Sequence, residues 1–364
     1  MLFVPASGPA GSGEYYRCLA LARAVRARRP DIACHALLHR GAAVEVDPDI
    51  PCHLLDDTPT RQTPQVLGLI TELRPALTLF DSAGRVQQLR AARAAGAATV
   101  WLSDRPGKRR KGFRWRTLRQ LDLHLVGVPG QLNPRLTARE RLMHRLCPDA
   151  AVAFFSTVAP AGDVAQVQPL LDRLAIAPGE FLVLVAGGGG YRHQGRPVPE
   201  LLIDAAVEVQ ARCGLPCVVV LGPQYRTDGG GLPKVAPGVH LIDTLPTATL
   251  GALLARARAA VTGAGSMMTA QGVAAGVASV LVAAGGSDQP ARIRALAEAG
   301  AALAAPLEPQ AIAEAAVRLA EDETLRHALA DRAAAHGLRN DVSRVADLLV
   351  GLYERRLACR VGGD

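Results

Sequence analysis

The chain has 364 residues, 49% apolar and 20% charged; this argues against disorder, and it exceeds one ordinary core, so two domains of roughly 150–200 residues are expected. The formal charge of +8 comes from 41 Lys and Arg against 33 Asp and Glu, and nearly all of the excess sits in Arg105–Arg119, which holds eight cations and no acid; a local patch, not a generally basic surface, needs explaining. Aromatics are 4% and the seven cysteines form no CxxC pair, which implies no zinc site or disulfide framework and favours buried parallel strands alternating with Ala-rich helices.

Leu2–Pro5 reads as a short apolar strand, and the opening MLFVPASGPAG lacks the basic region of a signal peptide. No run reaches the roughly 18–20 apolar residues of a membrane span. A cytoplasmic protein is expected, with membrane contact only at a surface, at the inner face of the plasma membrane. The glycine-bearing loop Ala6–Gly13 follows, then a helix over Glu14–Arg29. Strands are expected near Ala33–Leu38, Cys52–Leu55, Ala76–Phe80 (ending on Asp81) and Thr99–Leu102 (ending on Ser103-Asp104), with helices over Pro64–Leu73 and Arg85–Ala95. The basic segment comes next, then strands near Leu123–Val126 and Val152–Phe155. Polar residues at strand carboxyl ends are where doubly wound sheets bind ligands.

Ala159–Gly179, with two Ala-Pro pairs and a short helix around Leu170–Leu174, is the best linker candidate. A second alternation begins with strand Phe181–Ala186, four glycines (187–190) and a helix over Val198–Arg212. Strands Cys217–Leu221 and Val239–Ile242, helix Leu250–Arg256 and strand Ala259–Thr262 follow. Helices over Gln310–Glu321 and Thr324–Ala335 and an amphipathic helix over Ser343–Leu357 close the chain. The expected boundaries are 1–160, a linker over 161–178, 179–340, and a C-terminal helix in 341–364 able to pack back on the first domain.

The stretch Val261–Gly300 parses as strand, Gly-turn, helix, strand, Gly-turn, helix. In the first turn, Gly263-Ala264-Gly265-Ser266, small residues let backbone N–H groups and a positive helix end approach an anion. The second, Gly285-Gly286-Ser287-Asp288-Gln289, places polar side chains at the next helix start. Two such turns at neighbouring strand ends outline a nucleotide-sized crevice.

The stretch GAGSMMTAQGVAAGVASVLVAAGGSDQPARIRALAEAGAA resembles the C-terminal signature of GT-B glycosyltransferases, and family 28 in particular, which includes the enzyme adding N-acetylglucosamine to the peptidoglycan lipid precursor. GSGEYYRCLALA is similar to the N-terminal loop of the related UDP-sugar hydrolase of pseudaminic acid synthesis. The resemblance implies an α/β chain of two Rossmann-like domains facing a cleft, the N-terminal one for the acceptor and the C-terminal one for a UDP- or other NDP-sugar. It also implies inverting transfer without metal or cofactor, the nucleotide-sugar being a substrate. Departures stand at Gln271 (a ribose-binding Glu in the family), Ala278 (Pro), Arg292 (Asn) and Glu14, where the hydrolase and some transferases carry a His base.

In such a reaction an acceptor hydroxyl attacks the anomeric carbon while charge builds on the departing diphosphate, so the site needs fixed N–H donors and a cation. Candidates on the donor side are Gly187, Gly188 and Gly189, Arg192 or His193, Gly265, Ser266, Met267, Gln271, Ser287, Asp288 and Gln289, with the nucleobase held by backbone around Leu245. The base is expected at Glu14, in the family loop, with Asp81 second. Each has a plainer reading: glycines as turns, Glu14 as a helix-dipole partner, Asp81 and Asp104 as N-caps, Met267 as packing. The acceptor or membrane contact is placed at Gly13, Asp104, Lys108, Arg109, Arg110, Phe113 and Trp115. The basic-aromatic segment suits an anionic bilayer or a lipid-linked, cell-envelope acceptor, while a solvated loop is the plain alternative and no nucleic-acid module accompanies it. Asp47-Pro48-Asp49 mimics a metal-binding DxD but lies outside the expected cleft. Two other functions stay open: a nucleotide-sugar hydrolase, with water as acceptor, and an inactive nucleotide-sugar-binding subunit of a glycosyltransferase complex.

Overall fold

The computed structural model describes residues 1–6, 8, 11–42, 44, 46–127, 134–160, 162, 164–225 and 232–361. Two compact units emerge: the first is Met1–Val128, Pro134–Val158 and Asp341–Asp364, and the second is Pro129–Asn133 and Ala159–Asn340.

In unit 1 the elements run β1 (Leu2–Pro5), α1 (Gly13–Arg28), β2 (His35–His39), β3 (Cys52–Leu55), α2 (Thr63–Leu73), β4 (Leu77–Asp81), α3 (Val86–Ala94), β5 (Ala98–Ser103), α4 (Pro106–Gly112), α5 (Trp115–Leu118), β6 (Leu123–Gly127), α6 (Ala138–Leu146) and β7 (Ala151–Phe155). The seven strands pair in the order β3-β2-β1-β4-β5-β6-β7, every pair parallel. A parallel sheet is covered on both faces, which is why β4 and β5 are buried at every position, polar Thr78 and Thr99 included.

Unit 2 contains α7 (Val164–Leu174), β8 (Leu182–Val185), β9 (Arg192–His193), β10 (Arg196–Pro197), α8 (Val198–Cys213), β11 (Cys217–Val220), β12 (Val239–Ile242), α9 (Thr247–Arg256), β13 (Ala259–Gly263), α10 (Ser266–Ala275), β14 (Ser279–Val282), α11 (Gln289–Glu298), β15 (Leu303–Ala304), α12 (Pro309–Glu321) and α13 (Glu323–Ala335). Its parallel sheet has the order β12-β11-β8-β13-β14-β15. Counted within each sheet, the second reads 3-2-1-4-5-6, the Rossmann order, and the first reads the same with a seventh strand added at its far edge. The last helix, α14 (Val342–Val361), returns to unit 1 and packs on α1, where Val345, Ala346 and Leu349 are fully buried.

Local structure adds α6, β9, β10 and β15 to the expected elements and departs from the sequence reading at two further stretches. The stretch expected as a linker, 161–178, carries α7, whose Val167 and Leu171 are fully buried against β8, β11 and α9 in the core of unit 2. Periodicity there is partly hidden by Pro169 inside the helix. The basic segment is not a loop: Pro106 starts α4 at a position where a missing N–H costs nothing, and α5 follows two residues after it.

Candidate functional site

In each sheet, strand order reverses between the first and fourth strands of the unit, and ligands of doubly wound sheets bind outside the carboxyl ends there. In unit 2 that point lies between β8 and β13. The loop after β8 is held by main chain: the Gln224 N–H donates to the Gly188 carbonyl at 2.8 Å. Gly189 has φ +80°, and a Cβ there would lie 2.3 Å from the Leu221 carbonyl oxygen, so only glycine fits. Gly263, closing β13, approaches β8 just as closely, with a would-be Cβ 2.2 Å from the Ala186 oxygen. The two loops meet because both end in residues without side chains.

From Gly263 the chain enters α10 through Gly265, its N-cap, leaving the N–H groups of Ser266 and Met267 at the positive helix end. The loop after β14 closes the third side. Gln289, first residue of α11, is 6% exposed; a Cβ on Gly265 or Gly286 would lie 3.9 or 3.3 Å from its Nε2. Its Oε1 is buried without a hydrogen-bond partner among the described residues, and such a group costs about 1–3 kcal/mol unless something satisfies it. Arg292, where the family pattern has Asn, is buried one turn on. It donates to the Ala264 carbonyl at 2.5 Å and binds Asp288 at 2.6 Å, so it ties α11 to the end of β13. Periodicity alone could not have shown that tie.

Other predicted donor-side residues separate by environment. Gly187, Ser266 and Met267 are half-buried and Gly188 and Ser287 exposed. Gln271 is 2% exposed and donates its Nε2 to the Thr247 carbonyl at 3.0 Å, facing the start of α9. Leu245 packs partly buried beside α9. Arg192 and His193 form β9, in a small hairpin with β10.

Unit 1 reverses order between β1 and β4, and an ionic network occupies that point. Arg17, one turn after Glu14 on α1, is 5% exposed. Its Nε and Nη2 grip both oxygens of Asp81 at 2.7 Å, and its Nη1 binds Asp104 at 2.7 Å. Arg105 binds Glu14 and stands 3.6 Å from Asp104. The Lys108 ammonium donates to the Ser82 carbonyl at 2.6 Å. Burial pushes the Asp81 pKa up to about 7, against the charge and hydrogen bonds of Arg17. Burial also works against charge on Arg17, but Asp104 and Asp81 outweigh it and hold the guanidinium well above its usual pKa. Asp81 is fully buried, so an acceptor has no access to it where it stands; Glu14, 7% exposed, meets the surface through Arg105. Glu14, Asp81 and Asp104 are thus brought together, with Gly13 opening the helix that carries Glu14. Arg17 lies in the GSGEYYRCLALA stretch and Arg105 opens the basic segment, but the sequence assigned neither a role; the i, i+3 spacing of Glu14 and Arg17 was the available signal.

The basic segment splits into two faces. Arg109 turns inward to both oxygens of Glu140 at 2.8 Å and to the Arg135 carbonyl. Lys111 donates to the Gly84 carbonyl at 2.8 Å. Phe113 is 4% exposed, its ring 4.6 Å from that of His124; expected at a surface contact, it is a core residue, because the C-cap of α4 turns its ring in among Trp101 of β5 and Val126 of β6. Arg110, Arg114, Arg116 and Arg119 face outward, with Trp115 48% exposed under the Arg119 guanidinium at 4.4 Å. Asp47 binds Arg23 at 2.6 Å and accepts from the Asp49 N–H, so the DxD look-alike is a structural turn. Among the described residues no helix is long and apolar enough to cross a membrane.

No model of a known protein family and no curated protein matches the chain. Solved structures do match. Spinosyn forosaminyltransferase SpnP aligns over 97% of this chain and 98% of its own, at 16% identity and TM-score 0.67. The glycosyltransferase SnogD from Streptomyces nogalater aligns over 97% and 98%, at 20% and 0.63. Phytolacca americana UGT2, solved with UDP-2-fluoro-glucose and pterostilbene, aligns over 97% and 98%, at 13% and 0.64. The chain has the GT-B fold. The likeness to family 28 rests on the sequence motifs alone.

Proposed function

We propose that the protein is a glycosyltransferase that moves a hexosyl or N-acetylhexosaminyl group from an NDP-sugar to a hydroxyl acceptor, with inversion and without a metal. The observation that carries this reading is the meeting of three polar turns at the switch point of unit 2, where the α10 N-terminus and the unpartnered Oε1 of Gln289 offer a donor and an acceptor. The α10 N–H groups stabilise the departing diphosphate, and Gly187–Gly189 approach it through main chain. Gln289 and Ser287 bind sugar hydroxyls, and Arg292, fixed on Asp288, adds positive charge. In unit 1, Glu14 takes the acceptor proton, released from Arg105 when acceptor binds, while Arg17 holds Asp81 and Asp104 in place as supports. A panel of UDP-, dTDP-, GDP- and CDP-sugars, assayed for free nucleotide and free sugar, tests this. Nucleotide release that requires an added acceptor is the expected result. Free sugar from donor alone would make the protein a hydrolase, and binding without turnover an inactive subunit.

The outward face of the basic segment supports an acceptor presented at an anionic membrane, such as a lipid-linked envelope precursor. With about 1 kcal/mol per cation near such a surface, reversing Arg114 and Arg116 to Glu should abolish sedimentation with phosphatidylglycerol vesicles. Equal binding to phosphatidylcholine vesicles would remove this part of the proposal.

A further inference from the structure

One aromatic side chain at the unit 2 site belongs to none of the motifs above. Tyr191 follows the four glycines and is 48% exposed, unusual for one of the few aromatics in the chain. Its position is set by main chain: the Val198 N–H, at the start of α8, donates to the Tyr191 carbonyl at 2.9 Å, and β9 and β10 close the hairpin beside it. A Cβ built on Gly285 would lie 2.5 Å from Cδ1, Cδ2 and Cε2 of the Tyr191 ring alike. Equal distances to atoms on both sides of the ring place Gly285 against its face, not its edge. Gly285, at φ +154°, is therefore a seat for that ring, and no larger residue could be one.

The contact has a consequence for the site. Tyr191 leaves β8 and Gly285 leaves β14, and β13 lies between those strands, so the ring reaches across the loop that opens α10. One face rests on the Gly285–Gly286 turn while about half of the side chain stays open. The Leu245 loop follows β12, the edge strand on the β8 side of β13, whereas Gly285 follows β14 on the far side, so that loop and the seated ring flank the α10 N-terminus from opposite sides.

We propose that Tyr191 is a stacking platform for the sugar ring of the donor, receiving the ring's C–H face while Gln289 and Ser287 engage its hydroxyls. This rests on the donor-site reading of unit 2. An aromatic held by main chain on a glycine seat loses little entropy on contact, so removing the ring should show as a several-fold loss of affinity. With the diphosphate at the α10 N-terminus and the base at the Leu245 loop, the sugar is the part of the donor that lies on the Tyr191 side.

The test compares calorimetric affinities of wild type, Tyr191→Phe and Tyr191→Ala for UDP against UDP-glucose and for dTDP against dTDP-glucose. The proposal expects Tyr191→Phe to match wild type. Tyr191→Ala should weaken the nucleotide-sugar about three- to tenfold and leave the free nucleotide within twofold. Equal weakening of nucleotide and nucleotide-sugar, or no weakening of either, overturns the platform and leaves the donor site standing. Absence of any nucleotide binding by wild type overturns the donor-site reading and this proposal together. Thermal midpoints of the variants show whether a loss reflects the ring or a collapsed turn, and a nucleotide affinity equal to wild type confirms an intact site in Tyr191→Ala.

Discussion

Three carboxylates at the switch point of unit 1 share two guanidinium groups, and the partition decides their roles. Asp81 is gripped through both oxygens by Arg17, and Glu14 pairs with the half-exposed Arg105. The carboxylate with the more exposed partner is the one better placed to change partners during a reaction. Glu14→Gln should therefore lower turnover by about 10²–10⁴-fold with little change in KM for the nucleotide-sugar; wild-type turnover in that variant would remove Glu14 from the chemistry. His124 supplies a second residue-scale prediction. Burial lowers its pKa from 6.5 to about 3, and the ring makes one hydrogen bond, 3.0 Å, with the Ser103 hydroxyl. The unfolded chain takes up a proton below pH 6.5 while the folded ring stays neutral. Stability is thus full above about pH 6.5 and falls as pH drops toward 3, by about 5 kcal/mol at the limit. His124→Gln should flatten the acid side of the urea-midpoint profile; identical profiles would show that other groups govern it.

Among elements, the glycine turns carry the site because main chain, not side chains, sets their spacing. Gly189 and Gly179 both have positive φ, +80° and +78°, but a Cβ at Gly189 meets the Leu221 oxygen at 2.3 Å and one at Gly179 meets nothing within 4 Å. Gly179→Ala should cost only the left-handed strain, about 1–2 kcal/mol. Gly189→Ala adds an overpacking term of about 1–3 kcal/mol, and it should also weaken nucleotide binding, because it moves the β8 loop. Equal thermal midpoints for the two variants would show that the loop relaxes freely. The α4–α5 segment shows the same division at larger size: one face anchors to β5 and β6 through Phe113, and the other presents arginines and Trp115.

At the scale of the molecule, two units with one strand order share no visible sequence repeat. Each is assembled by the same physical rule, crossovers between parallel strands, and the two differ in the loops at the switch points. Unit 2 has glycines and a helix terminus there, and unit 1 an ionic network. A nucleotide bound to unit 2 at a hundredfold its Kd should stabilise that unit by about 2.7 kcal/mol, raising its thermal midpoint by about 5–10 °C. Among UDP, dTDP, GDP and CDP the one that shifts it names the base. If none does, unit 2 has no nucleotide site.

Strand and helix order, the two-domain division and the glycine turns were legible in the sequence, because apolar runs, Gly-rich turns and helical spacing are local signals. Glu14, Asp81, Gln289 and the 263–266 turn could be singled out for the same reason, each standing at the end of a readable element. What local signals cannot carry is which side chains meet. Arg17 joins residues 64 and 87 positions away, Gln271 turns toward α9, Phe113 enters a core and Tyr191 rests on Gly285. Those pairings depend on the order of strands in a sheet, which chain connectivity limits but packing selects. The sequence by itself determined where polar turns occur in this protein. The tertiary structure alone decided that three of them meet at one switch point, since β13 must lie between β8 and β14 before the turns after those strands can share a ligand.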